Sequence, residues 1–368
     1  MMIAKSPAEN KITVVIPNYN GQKFIEGCIS SLLAQDADTP PYKIVVIDNA
    51  STDGSLEWLQ EHFPVQAASD QPASVVYGKA TVSEAQDTNL VTQAIRPQVP
   101  VTILPQSTNT GFCHAVNVGI EVADTPYVIL LNNDTKVKSD FVKRLYGAIE
   151  SKADAFSVSA KMLMWDRPDL LDDAGDKYCV LGWAYSRGKG KPADQYDAPC
   201  KIFSACGGAA IYRSSVFAEI GLFDENHFAY LEDLDIGYRA QIYGYRNYYE
   251  PTAEVIHYGS ASSGSRYNEW KTGIAAANSV YVIAKNMPLL QWLWNLPFLL
   301  LGFTLKFLFF CRKKMGRAYL KGLMNGLKKS CSQAGRKQRI AFQINRLGRY
   351  FAIQGQLYMN LVLFLKKS

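Results

Sequence analysis

Four short apolar runs set the terms for this chain: KITVVIP (11–17), KIVVID (43–48), VTILP (101–105) and YVILL (127–131). Each is rich in β-branched residues and nearly continuous in its hydrophobicity. Each is followed by apolar residues at helical spacing: GQKFIEGCISSLLAQ (21–35), SLEWLQEHF after the turn NASTDG, CHAVNVGIEVA, and a segment from Ser139 to Ile149. A strand apolar on both faces must be covered on both, and helices that alternate with parallel strands do this. The pattern predicts an α/β fold built on a doubly wound, mainly parallel sheet.

Two polar stretches break the rhythm. Residues 64–100 read as a long surface insertion with a short hairpin around SVVYG, and 165–200 as loops and short strands. Order returns with ACGGAAIYR, a helix LEDLDIGYRAQIYG (231–244) and a strand AEVIH (253–257). The character then changes. From Arg266 onward there are 18 Lys or Arg and one acid, Glu269, while the preceding residues are net acidic. This divides the chain into an acidic body, 1–265, and a basic, hydrophobic helical region, 266–368. Within the latter, MPLLQWLWNLPFLLLGFTLKFLFFC (287–311) is long enough to span a bilayer, with Asn295, Pro297 and Lys306 against spanning. The alternative is an interfacial helix pair with its cations on anionic lipid headgroups. Interleaved Trp, Leu and Phe runs favour lipid over nucleic acid as the partner of these cations. The seven cysteines show no metal-type spacing, and MMIAKSPAENK has no apolar run behind its charges. A reducing compartment and no visible signal peptide are the expectations.

In an open parallel sheet, ligands sit beyond the carboxyl ends of the strands. Asn18-Tyr19-Asn20 follows the first run and Asp48-Asn49 the second. Asn109 and Gly111 come soon after the third, and Asn132-Asn133-Asp134 ends the fourth. Turn and cap chemistry accounts for any one of these clusters. Four of them meeting along one edge describe a polar binding site. No G-x-G-x-x-G opens the first helix and no G-x-x-x-x-G-K-[ST] occurs, so neither a glycine cradle nor a P-loop lysine awaits a diphosphate. A divalent cation is the remaining economical device, and Asp134 is a hard oxygen ligand suited to Mg²⁺ or Mn²⁺.

VVIPNYNG, VVIDNASTDGS, NTGFCHAVNVGI, LLNNDT and YLEDLDIGYRAQIYGY, in this order over residues 11 to about 260, resemble family 2 of the inverting nucleotide-sugar glycosyltransferases, whose Rossmann-like fold is GT-A. CGGAAIYR, FDENHFAYLEDLD and HYGSAS are similar to its rhamnosyltransferase-like members in polysaccharide assembly. The resemblance implies that Pro17, Asn18, Tyr19 and Asn20 line the base and ribose, and that Asp48 accepts hydrogen bonds from a uracil or thymine edge. Asn109, Gly111 and Asn117 would sit near the ribose and diphosphate. Asn132, Asn133 and Asp134 occupy the family's Asp-x-Asp position with Asp134 as metal ligand. Asn132 replaces the first acid, which gives more weight to His257, the residue closing AEVIH, as a second ligand.

Glu232, Asp233 and Asp235 open a predicted helix, where the dipole favours acids and Arg239 can pair with Glu232 and Asp235. In the family pattern the Asp after Glu is the general base, here Asp233, with Glu232 beside it. Gly207 and Gly208 would let backbone approach the donor sugar or acceptor. The implied reaction is non-processive transfer from a UDP- or dTDP-sugar, dTDP-rhamnose among them, to a saccharide acceptor, polyprenyl-linked, at the cytoplasmic face of the inner membrane. Attachment there is peripheral or by a single span. Rival readings are a processive synthase, whose Q-x-x-R-W motif is matched only up to Arg346 before Leu347, and a sugar-nucleotide pyrophosphorylase, which wants a Gly-rich basic loop where PNYNG stands. A catalytically degenerate scaffold is the third, and Asn132 keeps it in play.

Overall fold

The computed structural model describes residues 10–63, 99–259 and 268–366. The expected hairpin around SVVYG lies outside these residues. The alternation predicted from the apolar runs is present: β1 (Ile12–Asn18), α1 (Gln22–Leu33), β2 (Tyr42–Asp48), α2 (Ser55–His62), β3 (Val101–Pro105), α3 (Phe112–Glu121) and β4 (Tyr127–Leu131). β1 pairs in parallel with β2 and β4, and β2 with β3, so these four C-terminal ends share one edge. In α1, Ile25, Cys28, Ile29 and Leu32 recur every three or four residues and are buried against the sheet.

The second half of the sheet is mixed. β5 (Thr135–Val137), α4 (Phe141–Glu150), β6 (Ala155–Met164), β7 (Leu171–Asp173), β8 (Asp176–Cys179), β9 (Trp183–Ser186) and β10 (Cys200–Ile202) follow in order. Then come β11 (Ala209–Arg213), α5 (Ser214–Ile220), α6 (Glu232–Tyr243) and β12 (Arg246–His257). β11 inserts antiparallel between β4 and β6, and β12 runs parallel to β6. β6 is buried along nearly its whole length, but Ser157, Ser159 and Lys161 interrupt its apolar run and conceal it in the sequence. β12 starts seven residues before the strand read from AEVIH, because the register shift between Glu250 and Glu254 accommodates Pro251, which has no N–H to give the ladder.

The helical region comprises α7 (Glu269–Asn286), α8 (Leu289–Arg312), α9 (Gly316–Cys331), α10 (Gln333–Lys337) and α11 (Leu347–Leu365). Two apolar clusters cover the two faces of the sheet, and a third joins body to tail: Tyr178, Phe203, Leu234 and Tyr238 pack with Val282, Ile283, Leu299 and Leu357. Each such side chain contributes roughly 1.5–3 kcal/mol when fully buried, so this seam is a permanent one.

Candidate active site

The polar residues at the strand ends first of all hold one another. The Asn133 side-chain amide donates to Asn18 Oδ1 at 2.7 Å, and Asn18 Nδ2 donates to Asp48 Oδ1 at 2.8 Å and Ser55 Oγ at 3.0 Å. The other oxygen of Asp48 accepts from the Ser51 N–H at 3.1 Å. Asn49 ties the third strand in, donating to Asn109 Oδ1 at 3.0 Å and accepting from the Thr110 N–H at 3.2 Å. Gly21 permits the central link, since a Cβ there would fall 2.1 Å from Asn133 Nδ2 and 2.2 Å from Asn18 Oδ1. Buried amides and carboxylates satisfied in this way fix the edge as a rigid unit.

Above that unit lies a cleft of about 1170 Å³. Pro17, Asn18, Tyr19, Asn109, Gly111, Asn132, Asn133, Asp134, Gly207, Gly208, Glu232, Asp233 and His257 all line it. At one pole, His257 Nε2 lies 3.3 Å from Asp134 Oδ1, and its Nδ1 lies 2.7 Å from Asp172 Oδ2. Lys189 pairs with the other oxygen of Asp172. Burial alone would lower the His257 pKa, but hydrogen bonds to Asp134 and Asp172 outweigh it and raise it to about 9. Asp172 moves down to about 2 against its own burial, because His257 and Lys189 stabilise its charge.

The other pole is acidic. Asp233 is pushed up to about 6, chiefly by burial, although the N–H groups of Leu234 and Gly207 favour its charged form. Burial and then Asp233 push Glu232 up to about 8, and Glu232 Oε2 has no hydrogen-bond partner. Asp176, also in the cleft wall, is raised by burial and by the charge of Asp233. The loop before α6 is strained: Phe228, Tyr230 and Leu231 have φ of 63°, 69° and 66°. Asn278 of α7 holds it, donating to the carbonyls of His227, Ala229 and Tyr230 at 2.8–3.0 Å.

The model of Glycosyl transferase family 2 matches residues 13–81 and 88–221, more than half of the chain. The chain belongs to this family. Among its relatives the transferase is 23% identical to rhamnosyltransferase WbbL of Escherichia coli (strain K12), over 70% of this chain and 87% of that protein. It is 26% identical to the N-acetylglucosaminyl-diphospho-decaprenol L-rhamnosyltransferase of Mycobacterium tuberculosis, over 69% of this chain and 78% of that protein. It is thus rhamnosyltransferase-like in sequence. A crystal structure of GalNAc-T7 with UDP, GalNAc and Mn²⁺ superposes with a TM-score of 0.52 at 15% identity, covering 76% of this chain and 48% of that one. That likeness shows the fold, GT-A.

Three residues expected in the transferase's cleft do not line it. Asn117 is committed elsewhere: its amide donates to the Phe223 carbonyl and accepts from the Phe223 N–H, at 2.8 and 3.0 Å. Asp48 is fully buried beneath Asn18, with both oxygens engaged, and Asn49 stands in the cleft wall in its place. Asn20 braces the neighbouring turn through the Thr52 N–H at 2.8 Å. Conversely, Asp172, Asp176, Lys189 and Tyr185 come from the polar 165–200 stretch, where no periodicity marks them. The sequence signal available was only the density of Asp in LLDDAGD.

Asp235 does not share the cleft. It is fully buried and bonded to Arg239 at 3.0 Å, Lys285 at 2.8 Å and Asn286 at 2.7 Å. With Asp224 and His227 it forms a cluster whose ligand atoms all lie within 4.8 Å of one another. The Lys285 ammonium already binds both carboxylates, at 2.7 Å (Asp224) and 2.8 Å (Asp235), so a cation would have to displace it. The chemistry of the donor set favours the other pole. There a carboxylate and an imidazole face the cleft, and the imidazole is oriented from behind by Asp172, as metal-ligating histidines are.

Proposed function

We propose that the protein is a metal-dependent, inverting, non-processive transferase that moves a sugar from a nucleoside diphosphate donor to a lipid-linked saccharide acceptor. The observation that carries this reading is the sharing of one cleft by two unlike poles, Asp134–His257 and Glu232–Asp233. The cleft exceeds the roughly 300–1,000 Å³ usual for a small-molecule site, as a site for two substrates should. Asp134 and His257 would hold Mg²⁺ or Mn²⁺, which supplies charge stabilisation for the departing diphosphate. Asn132 and Asn133 would face the same end of the donor. Asp233 would take the proton of the acceptor hydroxyl as that oxygen attacks the anomeric carbon, inverting it in one displacement. Glu232 and the backbone at Gly207 and Gly208 would position the sugar.

The names of the two rhamnosyltransferase relatives support rhamnose from dTDP-rhamnose as the first donor to try, with UDP-sugars next, in bacterial surface polysaccharide synthesis. The polyprenyl diphosphate in the mycobacterial name supports an acceptor of that class. A membrane location agrees with α8, whose hydropathy and length suffice to cross a bilayer. The cysteines, all free among the described residues, suit the cytoplasmic side. The test is a screen of nucleotide sugars for thermal stabilisation with Mn²⁺, followed by nucleotide release on adding acceptor. Asp134→Ala should abolish the metal-dependent part of donor binding. Release of no nucleotide diphosphate with any donor at any metal concentration would leave the scaffold reading instead.

A further inference from the structure

Helix α8 is long and apolar enough for a membrane span, yet its surroundings deny it that role. Among its residues only Asn295, Leu299 and Gly302 are buried, a single stripe: Asn295 hydrogen-bonds Gln354 of α11, while Leu299 and Gly302 pack on the catalytic body at Gly182 and Leu181. Along this stripe the contact is close: a Cβ at Gly302 would fall 2.1 Å from the Leu181 carbonyl oxygen, and Trp183 Nε1 donates to the Gly302 carbonyl at 3.0 Å. Both ends are tied to the same body. α7 and α9 run side by side in one direction, with Gly322 packed on Gly273 and Gly326 on Ala277. α8 joins the end of one to the start of the other, so it runs back along the pair. To cross a bilayer it would have to take α7 with it, and α7 carries Lys285 and Asn286 buried against Asp235 of α6 and Asn278 buried against the loop before α6.

The outward face of α8 is a straight apolar stripe. Leu290, Trp294, Leu301 and Leu308 are 80%, 68%, 52% and 53% exposed and recur at helical spacing. α11 lies alongside, joined by a 2.7 Å hydrogen bond from Trp294 Nε1 to Tyr358 Oη, and adds Phe351 and Leu365 to the same surface, 68% and 61% exposed. Exposed cations follow at once: Arg312, Lys313, Lys314, Arg317 and Lys321. Among the residues from Arg266 onward only Glu269 is acidic, so a second copy docking through this same face would meet it with like charge. An apolar surface rimmed by cations is complementary to an anionic lipid leaflet.

We propose that α8, α9 and α11 form a monotopic docking face for an anionic bilayer leaflet, with α8 lying in the headgroup plane rather than crossing. The inference rests on the membrane location proposed above and gives it a geometry. It also explains how the cleft meets a lipid-linked acceptor. The β8–β9 hairpin is fastened to this face by Trp183 and by the Tyr185 hydroxyl, which donates to the Asn360 carbonyl at 2.6 Å. The same hairpin lends Ala184, Tyr185 and Ser186 to the cleft wall.

The experiment uses the full chain with Cys311→Ser and Cys331→Ser, one cysteine introduced at Leu290, Leu301 or Leu308 and a fluorescent label on it, with the parent Cys311→Ser, Cys331→Ser chain labelled in parallel to subtract any signal from the part-buried Cys200 and Cys206. The probes are vesicles of phosphatidylcholine with or without phosphatidylglycerol, with quenching lipids brominated at shallow or deep acyl positions. The expected result is equal, shallow quenching at all three sites, although they span about 27 Å of helix. Binding should require phosphatidylglycerol. Neutralising Arg312, Lys313 and Lys314 to Gln should weaken it roughly a hundredfold, at about fivefold per cation. Quenching that passes from shallow through deep to shallow would overturn the proposal in favour of a span. Equal binding without phosphatidylglycerol, or labels shielded in a dimer, would overturn it as well. Failure to bind either vesicle while nucleotide release remains intact would remove the membrane location itself, leaving the catalytic reading untouched.

Discussion

The two carboxylates that open α6 should divide their labour according to their protonation. Burial raises Asp233 to about 6 and Glu232 to about 8, so near pH 7 Asp233 is ionised and Glu232 still holds its proton. The two carboxylates titrate in linked steps that belong to the pair, and the two variants divide them. Asp233→Asn removes the proposed base and keeps the shape, so kcat should fall by about 10²–10⁴, equivalent to roughly 3–5 kcal/mol of barrier. Glu232→Gln replaces a neutral acid by a neutral amide and should keep the rate at pH 7 within roughly tenfold. The assay is continuous nucleotide release from pH 4.5 to 9, with donor affinity by calorimetry as the control. Wild-type kcat should rise with unit slope below a break near 6, and that limb should vanish in the residual activity of Asp233→Asn. Full activity in Asp233→Asn, or an acid limb lost only in Glu232→Gln, would refute the assignment.

The same shift carries a stability signature. A carboxylate whose pKa rises on folding binds more protons in the native than in the unfolded state between about 4 and about 6, so its contribution falls as pH rises through that window. Asp233→Asn should therefore raise Tm at pH 8 but not at pH 4; a Tm gain of equal size at both would show that burial of the charge is not the cause. Asp172→Ala leaves Asp134 and His257 in place but no longer orients the imidazole, and Mn²⁺-dependent donor affinity should drop roughly 10–100-fold by titration calorimetry. Unchanged affinity would dissociate His257 from the metal. Lys285→Met strands Asp224 and Asp235 without their shared ammonium and should cost about 3–5 kcal/mol in urea unfolding; a loss below 1 kcal/mol would mean the cluster relaxes or binds a cation in its place. Gly21→Ala pushes a methyl into the Asn18–Asn133 hydrogen bond and should cost about 1–3 kcal/mol together with donor affinity, read as Tm with and without nucleotide sugar.

These predictions draw on the tail as much as on the body. Lys285, Asn278 and Lys329 belong to α7 and α9, yet they hold the carbonyls and carboxylates of the 224–231 loop. The acidic pole thus takes its shape from a region whose composition alone suggested only a lipid anchor.

The body's strand–helix alternation and the convergence of its strand ends were legible in the sequence because both follow from local pattern. Continuous β-branched runs make buried strands, and parallel strands with helical crossovers necessarily present their carboxyl ends together. Asp134, His257, Glu232 and Asp233, singled out in the sequence, line one cleft. The sequence could not say that Asn18, Asp48 and Asn133 spend their hydrogen bonds on each other, or that Asn117 serves the Phe223 backbone. Nor could it bring Asp172, Asp176 and Lys189 from an aperiodic stretch to the cleft, or turn α8 back along the body. Periodicity records which face of an element is buried. Which distant groups meet there is decided by the packing of whole elements, a property no local window contains.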